Sequence, residues 1–507
     1  MPDLDAAPAA WLGRRPLWLA ALIVFALGAV AALGQAPWSL WPLSVLAFAG
    51  LFACHLSAGS VRRAGWIGLA GGAGYFAVAL SWIVEPFLID APRHGWMAPF
   101  ALILVSVGFA LFWAGAQMAA RAVQGNALVW AAMLTLSEAL RGWLFTGFPW
   151  AQPGHGWIFT PMLHWAAIGG ALPLTFAMLI AGAGLWHLVL GRRMLGASAL
   201  AAIAALYAAG PFVAQAPEMP EDAPIVRLVQ PNVPQNQKWD REWMAFHFDR
   251  QMAFTAADAP PDLIVWPETA LPVMLNQADA VLAQVAGAAR GTPVVLGVQR
   301  ADDARYYNSL IVLDGQGRRA ALYDKHHLVP FGEYMPMGNF LARFGIRGLA
   351  QQGGYGYSAG PGPQVIDMGA LGRALPLICY EGVFARDVAE APGRADFLLL
   401  ITNDAWFGQV SGPYQHLAQA RLRSAEQGLP MIRAANTGVS AMIDAAGRIT
   451  AQIPLGEAGY LDAPLPPPGT PTLYSRSGDL PALFLLLLAV IVPAGLHRRK
   501  IARAARQ

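Results

Sequence analysis

Charge is scarce in this chain of 507 residues: Asp, Glu, Lys and Arg together make up 13% of it, against 56% hydrophobic residues. Soluble domains carry about 25% charge, so the composition points to a membrane protein. Carboxylates are nearly missing from the first 214 residues, where only Asp3, Asp5, Glu85, Asp90 and Glu138 occur, and none follows Asp479. A polar domain therefore lies between apolar stretches. Within it the carboxylates outnumber the basic residues, 26 to 20, which argues against a nucleic-acid partner. Cysteine is limited to Cys54 and Cys379, and lysine to Lys238, Lys325 and Lys500. Cys54 lies in an apolar run and Cys379 in the polar domain, so no disulfide is expected between them.

A bilayer core needs about 20 largely apolar residues per helix. Seven such runs precede the polar domain, at 17–34, 37–56, 65–84, 97–119, 127–144, 165–190 and 195–213, and an eighth follows at 481–496. Pro173 makes the sixth the least regular. Basic residues mark the cytoplasmic side of short loops. Arg14/Arg15, Arg62/Arg63, Arg121, Arg192/Arg193 and the tail Arg498, Arg499, Lys500, Arg503 and Arg506 fall on one side, with only Arg93 and Arg141 on the other. The expected topology has about eight transmembrane helices, both termini cytoplasmic, and the polar domain outside, which in a bacterium is the periplasm. The expected divisions are 1–214 for the membrane domain, 215–478 for the polar domain, and 479–507 for the last span and basic tail.

From Pro224 the pattern changes to short β-rich runs punctuated by Pro, Gly and Asp. Strands are expected at 225–230, 263–266, 294–299, 309–313, 320–323, 375–380, 397–402, 431–434, 440–443 and 449–453, with hairpin turns at Asp314–Gly317 and Asp444–Gly447. Helices are expected at 242–257, 277–289 and 413–427. Strands alternating with helices predict an α/β layered domain. The Pro-rich segment 464–471 reads as a linker.

Three residues at predicted strand ends stand out. Cys379 is either a buried small hydrophobe or a nucleophile, and its place between apolar Leu375–Ile378 and polar Tyr380–Glu381 favours the nucleophile. Lys325 keeps a compact ammonium in a chain that otherwise prefers Arg. Glu268 follows Trp266-Pro267. A carboxylate, an ammonium and a thiol supply a base, an oxyanion partner and a nucleophile for covalent acyl transfer. Adjacent His326 and His327 point in different directions and have no ligand-spaced partners, so no metal is expected. Gly353–Gly356 follows no strand, so neither a nucleotide nor any other cofactor is expected.

Trp266-Pro-Glu268, Tyr323-Asp-Lys325 and Ile378-Cys-Tyr-Glu381 resemble the Glu-Lys-Cys triad motifs of the nitrilase, or carbon-nitrogen hydrolase, superfamily, whose fold is an αββα sandwich. Leu140-Arg-Gly-Trp143, Gly147-Phe-Pro-Trp150, the segment Gln230–Trp239, the segment His327–Tyr334, Asn403–Gly408 and Arg433–Gly438 are similar to the membrane-embedded branch, the apolipoprotein N-acyltransferases. The resemblance implies a polytopic α-helical membrane domain joined to a nitrilase-like αββα domain. It implies a ping-pong reaction in which Cys379 takes an acyl chain from a phospholipid, expected to be phosphatidylethanolamine. The thioester then passes to the α-amino group of an S-diacylglyceryl-cysteine apolipoprotein, the last step of lipoprotein maturation. Glu268 is then the general base, Lys325 the oxyanion partner and Glu333 the residue that positions Lys325. By the same matching Glu381, Tyr380, Trp406, Phe407 and Trp239, the last on a loop, line or support the site, and replacing Glu381 with Ala is expected to impair turnover without unfolding. The bacterial inner membrane, with membrane lipids as surroundings and a monomeric state, completes the expectation. The competing readings are a membrane-tethered amidase using the same triad and a non-enzymatic transporter or scaffold.

Overall fold

The computed structural model describes residues 16–123, 125–303, 305–336 and 356–504. Arg14, Arg15 and Gly353–Tyr355 of the motifs above lie outside the described residues, as do the side chains of the basic tail. The chain divides into a helical unit, residues 1–87, 91–214 and 472–507, and a second unit of residues 215–471 with 88–90.

The helical unit is built from α1 (Leu17–Ala32), α2 (Trp41–Leu56), α3 (Val61–Ala79), α4 (Ala98–Ala122), α5 (Ala127–Arg141), α6 (Ala171–Val189), α7 (Arg193–Val213) and a final helix at Leu480–Ala504. Among the described residues, three helices are long and apolar enough to cross a membrane, at Ala91–Ala122, Ala171–Val189 and Arg193–Val213. Val61–Ala79 with Ser81–Leu88, bent by 64°, meets the same criterion as a pair, whereas Trp18–Ala32, Trp41–Leu56 and Leu480–Leu496 are shorter apolar helices. The sixth run breaks at Gly170, whose φ is +71°, rather than at Pro173. Pro173 lies in the first turn of α6, where its missing N–H has no intrahelical partner to lose. Small residues let helices touch: a Cβ on Gly74 of α3 would lie 1.9 Å from the Phe25 carbonyl oxygen of α1. The fifth run is shorter than expected because α5 ends at Arg141. This arginine is a buried partner of Glu138 and of the Phe148 carbonyl, and not a loop charge. Trp113 Nε1 donates to the other Glu138 oxygen at 2.7 Å, so the buried charges are compensated within the unit.

The second unit holds two six-stranded sheets. The first contains β1 (Ile225–Gln230), β2 (Leu263–Val265), β3 (Val294–Asp302), β4 (Arg305–Leu313) and β5 (Arg319–Asp324). The second contains β6 (Ile366–Asp367), β7 (Arg373–Ile378), β8 (Phe397–Thr402), β9 (Met431–Ala435), β10 (Ser440–Ile443) and β11 (Ile449–Ile453). The last strand, β12 (Gly459–Pro464), returns to the first sheet, giving the orders β12-β1-β2-β3-β4-β5 and β11-β10-β9-β8-β7-β6. β12 runs antiparallel to β1, with Ile225 opposite Pro464 and Gln230 opposite Gly459. The Pro-rich linker expectation thus begins one residue inside a strand.

Period-two burial explains the layers. Phe397, Leu399 and Ile401 of β8 meet Leu228, Val265 and Leu310 between the sheets, while Leu398 and Leu400 face α10 (Gly412–Gln427). Ile264, Val294 and Leu296 face the helices α8 (Arg241–Thr255) and α9 (Asp279–Ala289). Helices therefore cover both outer faces of a doubled sheet, the αββα arrangement expected from the resemblance. The strands β1 to β3 and β7 to β9 run parallel within their sheets. Their carboxyl ends carry Gln230, Trp266-Pro-Glu268, Cys379, Asn403 and Asn436.

Candidate active site

Strand β7 ends at Ile378, two residues earlier than expected, because Cys379 takes a left-handed backbone with φ +52°. A non-glycine residue there costs on the order of 1–3 kcal/mol and persists only where its surroundings hold it. The buried carboxylate of Glu381 is one such support. It accepts from Ile378 N at 2.7 Å, Tyr323 OH at 2.8 Å, His326 N at 2.8 Å and His327 N at 3.2 Å. One side chain thereby joins the strand before Cys379 to the two residues after Lys325. On the far side His416 Nε2 lies 3.2 Å from the Cys379 carbonyl oxygen, and His416 Nδ1 lies 2.9 Å from Asp404. Asp404 in turn pairs with Arg433 at 2.6 Å. Burial opposes the charge on Asp404, yet Arg433 and His416 hold its carboxyl at about 2.

Lys325 directly follows β5 and is 1% exposed. Its Nζ lies 2.8 Å from Glu333 Oε1 and 3.8 Å from Glu268 Oε1. Asn308 Nδ2 bridges the same two oxygens, at 2.6 Å from Glu268 and 3.2 Å from Glu333. Glu268 Oε2 accepts from Asn403 N at 2.8 Å, and Glu333 Oε2 from Val329 N at 2.8 Å. Burial works against the charge on Lys325, but Glu333 and Glu268 outweigh it and raise its pKa, so the group remains an ammonium. Burial and the Glu268 charge push the Cys379 thiol up, with Lys325 only partly offsetting them. These shifts favour a neutral thiol on Cys379 and a charged ammonium on Lys325.

The Glu268 backbone is seated on Gly297 of β3. A Cβ added there would lie 2.4 Å from Thr269 N and 2.6 Å from Glu268 Cα. Gly297→Ala is expected to displace the Glu268 turn, destabilise the domain by about 1–3 kcal/mol, and lower turnover together with the melting temperature. Thermal melts and single-turnover assays on the same preparation check both effects.

Trp239 is half-buried and lines a cleft with Lys238, Met244, Phe248, Leu271 and Glu268. The Tyr380 ring is buried and packs edge-on against Phe384 at 4.8 Å and His327 at 5.5 Å. Trp406 and Phe407 are half-buried, and Phe407 meets the His416 ring edge-on at 5.7 Å. Glu268, Lys325, Glu333 and Cys379 thus form one electrostatic cluster, Glu381 supports it from within the fold, and of the aromatics Trp239 shares a cleft with Glu268. Three residues acquire roles that the sequence reading did not assign: Asn308, Asn403 and His416. Asn403 lies in a quoted motif, but nothing in the strand pattern distinguishes Asn308. Among the described residues no group of His, Cys, Asp and Glu is arranged to hold a metal ion.

Doubled sheets with helices outside, and a Glu, Lys and Cys brought to one end of them, define a carbon-nitrogen hydrolase domain, and residues 213–470 match that family. Residues 27–184 match the apolipoprotein N-acyltransferase N-terminal domain. An apolipoprotein N-acyltransferase from Caulobacter vibrioides is 37% identical, covering 96% of this chain and 96% of the relative. Those from Rhodopseudomonas palustris and Brucella melitensis are 35% and 36% identical, each covering 94% of this chain and 95% or 96% of the relative. The chain belongs to the apolipoprotein N-acyltransferase family.

Proposed function

We propose that this protein transfers a fatty-acyl chain from a phospholipid, through a thioester on Cys379, to the N-terminal amine of an S-diacylglyceryl-cysteine lipoprotein. The observation that carries the reading is a buried lysine cation shared by two carboxylates, with the lysine and one of the carboxylates, Glu268, close enough to a strand-end cysteine for their charges to act on its thiol. Glu268 removes the thiol proton as sulfur attacks the ester carbonyl, and Lys325 stabilises the oxyanion. Collapse breaks the ester C–O bond, and the lysophospholipid oxygen takes the proton back from Glu268. In the second half the lipoprotein amine attacks the thioester and gives a proton to Glu268. Carbon–sulfur cleavage then returns that proton to sulfur with the amide formed. Glu333 and Asn308 hold Lys325 and Glu268 in register. No step calls for a metal or cofactor.

Eight membrane crossings, cytoplasmic termini, a periplasmic catalytic unit and a monomeric chain complete the reading. Apolar helices, the charge asymmetry of the loops and the family support its membrane part. Donor and acceptor both carry chains that would have to leave the bilayer to reach a soluble catalyst, at about 0.8 kcal/mol per CH₂. Incubation of the purified protein with phosphatidylethanolamine labelled in its acyl chains is the test. Label is expected on wild-type protein and not on Cys379→Ala, and a diacylglyceryl lipopeptide amine should discharge it faster than water does. Discharge chiefly to water would favour the tethered amidase, and full function of Cys379→Ala would remove the enzymatic reading.

A further inference from the structure

Lys238 is one of three lysines in the chain and takes no part in the steps above. Its side chain is turned inward, leaving the residue 9% exposed. The Nζ donates to the Glu268 carbonyl oxygen at 3.2 Å and to Thr269 Oγ1 at 2.5 Å. Thr269 has φ +46°, so the chain makes a strained left-handed turn directly after the base. Gly297 supports that turn from below, and Lys238 ties it from the cleft side. The segment that carries Lys238 is itself anchored: Gln237 Oε1 lies 3.0 Å from His247 Nε2 of α8, and Asn403 Nδ2 donates to Gln235 at 2.8 Å.

We propose that Lys238 is a positioning residue for Glu268, holding the turn that aims its carboxylate and supplying a second cation that keeps this carboxylate ready to accept the thiol proton. The proposal rests on the catalytic reading above. The charge balance supports it, since Glu268 and Glu333 face only one ammonium in the cluster around Lys325. As Glu268 takes the thiol proton the negative charge passes through sulfur to the carbonyl oxygen, and Lys238 lies within electrostatic reach of both Glu268 and Cys379. Burial lowers the pKa of Lys238 to about 8 while Glu268 and Cys379 pull the other way, so its charge is sensitive to what those two groups carry. Among the described residues, the ionisable groups facing Glu268 are Lys238, Lys325, Glu333, Cys379 and Tyr357, and His247 shares the cleft with Lys238. The immediate neighbour of Lys238, Trp239, also lines the cleft.

The test is the pH dependence of acyl-enzyme formation in full-length wild-type protein, Lys238→Met and Lys238→Arg, with labelled phosphatidylethanolamine in detergent micelles. Removing a cation beside a carboxylate raises its pKa, so in Lys238→Met the acid limb should move up by about one pH unit, with acylation at neutral pH slowed roughly tenfold to a hundredfold. KM should change less than twofold, because no substrate contact is removed. Lys238→Arg keeps the charge and should keep the acid limb in place even where its larger head slows the reaction. Wild-type rate and limb in Lys238→Met would overturn the proposal, as would an equal loss at every pH that Lys238→Arg fails to relieve. If Lys238→Met does not fold, a limb displaced in Lys238→Arg overturns it and an unmoved limb supports it. Absence of labelling in the wild type would instead overturn the catalytic reading itself.

Discussion

Lys325→Met is expected to abolish acyl-enzyme formation, with a loss of at least about 10³-fold, since removal of one oxyanion donor commonly costs 10²–10³. The additional loss comes from the charge it leaves behind. Lys325 is 1% exposed and is the cation held between Glu268 and Glu333. Without it two buried carboxylates share Asn308 as a donor and repel each other. Breaking a buried ion pair by deleting one partner costs about 3–5 kcal/mol, and the melting temperature should fall accordingly. Lys325→Arg should not restore the rate, because the planar guanidinium needs more room than a buried ammonium leaves. Lys325 has its pKa raised above the ordinary 10.5, against the effect of burial, by Glu333 and Glu268. The stability it contributes is therefore complete below that ordinary value and is lost only as pH rises through the folded one. The deficit of Lys325→Met should thus be present across the whole neutral range. Single-turnover labelling and thermal melts at several pH values measure the two effects separately. A variant with near wild-type labelling would remove Lys325 from the mechanism.

The second large effect is expected at Glu381. The sequence reading anticipates that Glu381→Ala impairs turnover without unfolding, and the structure changes that expectation. The carboxylate is fully buried and accepts three backbone N–H groups and the Tyr323 hydroxyl. Each buried donor left unpaired costs about 1–3 kcal/mol, so Glu381→Ala should fold poorly. Glu381→Gln keeps the volume but exchanges one acceptor oxygen for a donor. It should accumulate with lowered stability and slow acylation roughly tenfold or more, through misplacement of Cys379 and Lys325 together. Burial opposes the charge on Glu381, but the His326 ring, whose Nδ1 lies 2.6 Å from Glu381 Oε1, together with its charge and the Ile378 N–H, holds the carboxyl below the ordinary 4.5. Its folded pKa is depressed, so its stabilising effect is present above about that value and disappears as pH falls through the folded one. Glu381→Gln should therefore flatten the acid side of the stability curve as well as lower its plateau. Equilibrium unfolding from pH 3 to 7 provides the comparison, and an unchanged acid slope would show that Glu381 is not the strut described.

Most strands of the second unit were legible because both sheet faces are buried and the runs are short, β-branched and bounded by turn residues. Ile225–Gln230, Phe397–Thr402, Ser440–Ile443 and Ile449–Ile453 have the expected bounds. β6 escaped notice because it is two residues long, and β12 because Gly459, Asp462 and Pro464 disguise it as loop. The joining of β12 to β1 is a pairing across more than 200 residues, which local pattern does not encode. Cys379 was placed by its strand, but its left-handed backbone was invisible, since nothing marks a cysteine as holding a glycine-like conformation. Glu268, Lys325 and Glu333 announced themselves through residue type and motif. Asn308, which joins two of them, did not, because a polar residue at the start of an apolar run looks like a strand boundary. In the helical unit hydropathy locates the apolar runs, but it does not place Arg141, which is buried against Glu138. A charge beside a turn resembles a loop charge until its buried partner is known.

The pairing of β1 with β12 has a consequence for how such a protein could arise. Ile225 and Pro464 stand opposite each other, and Leu465 N bonds to the Pro224 carbonyl at 2.8 Å, so the chain enters and leaves the catalytic domain side by side. A domain with adjacent ends can be spliced into a host chain with little disturbance to either part. The second unit is, in that sense, a cassette carried between α7 and the last apolar helix. A catalytic domain expressed between these two points would have its first and last strands paired from the start.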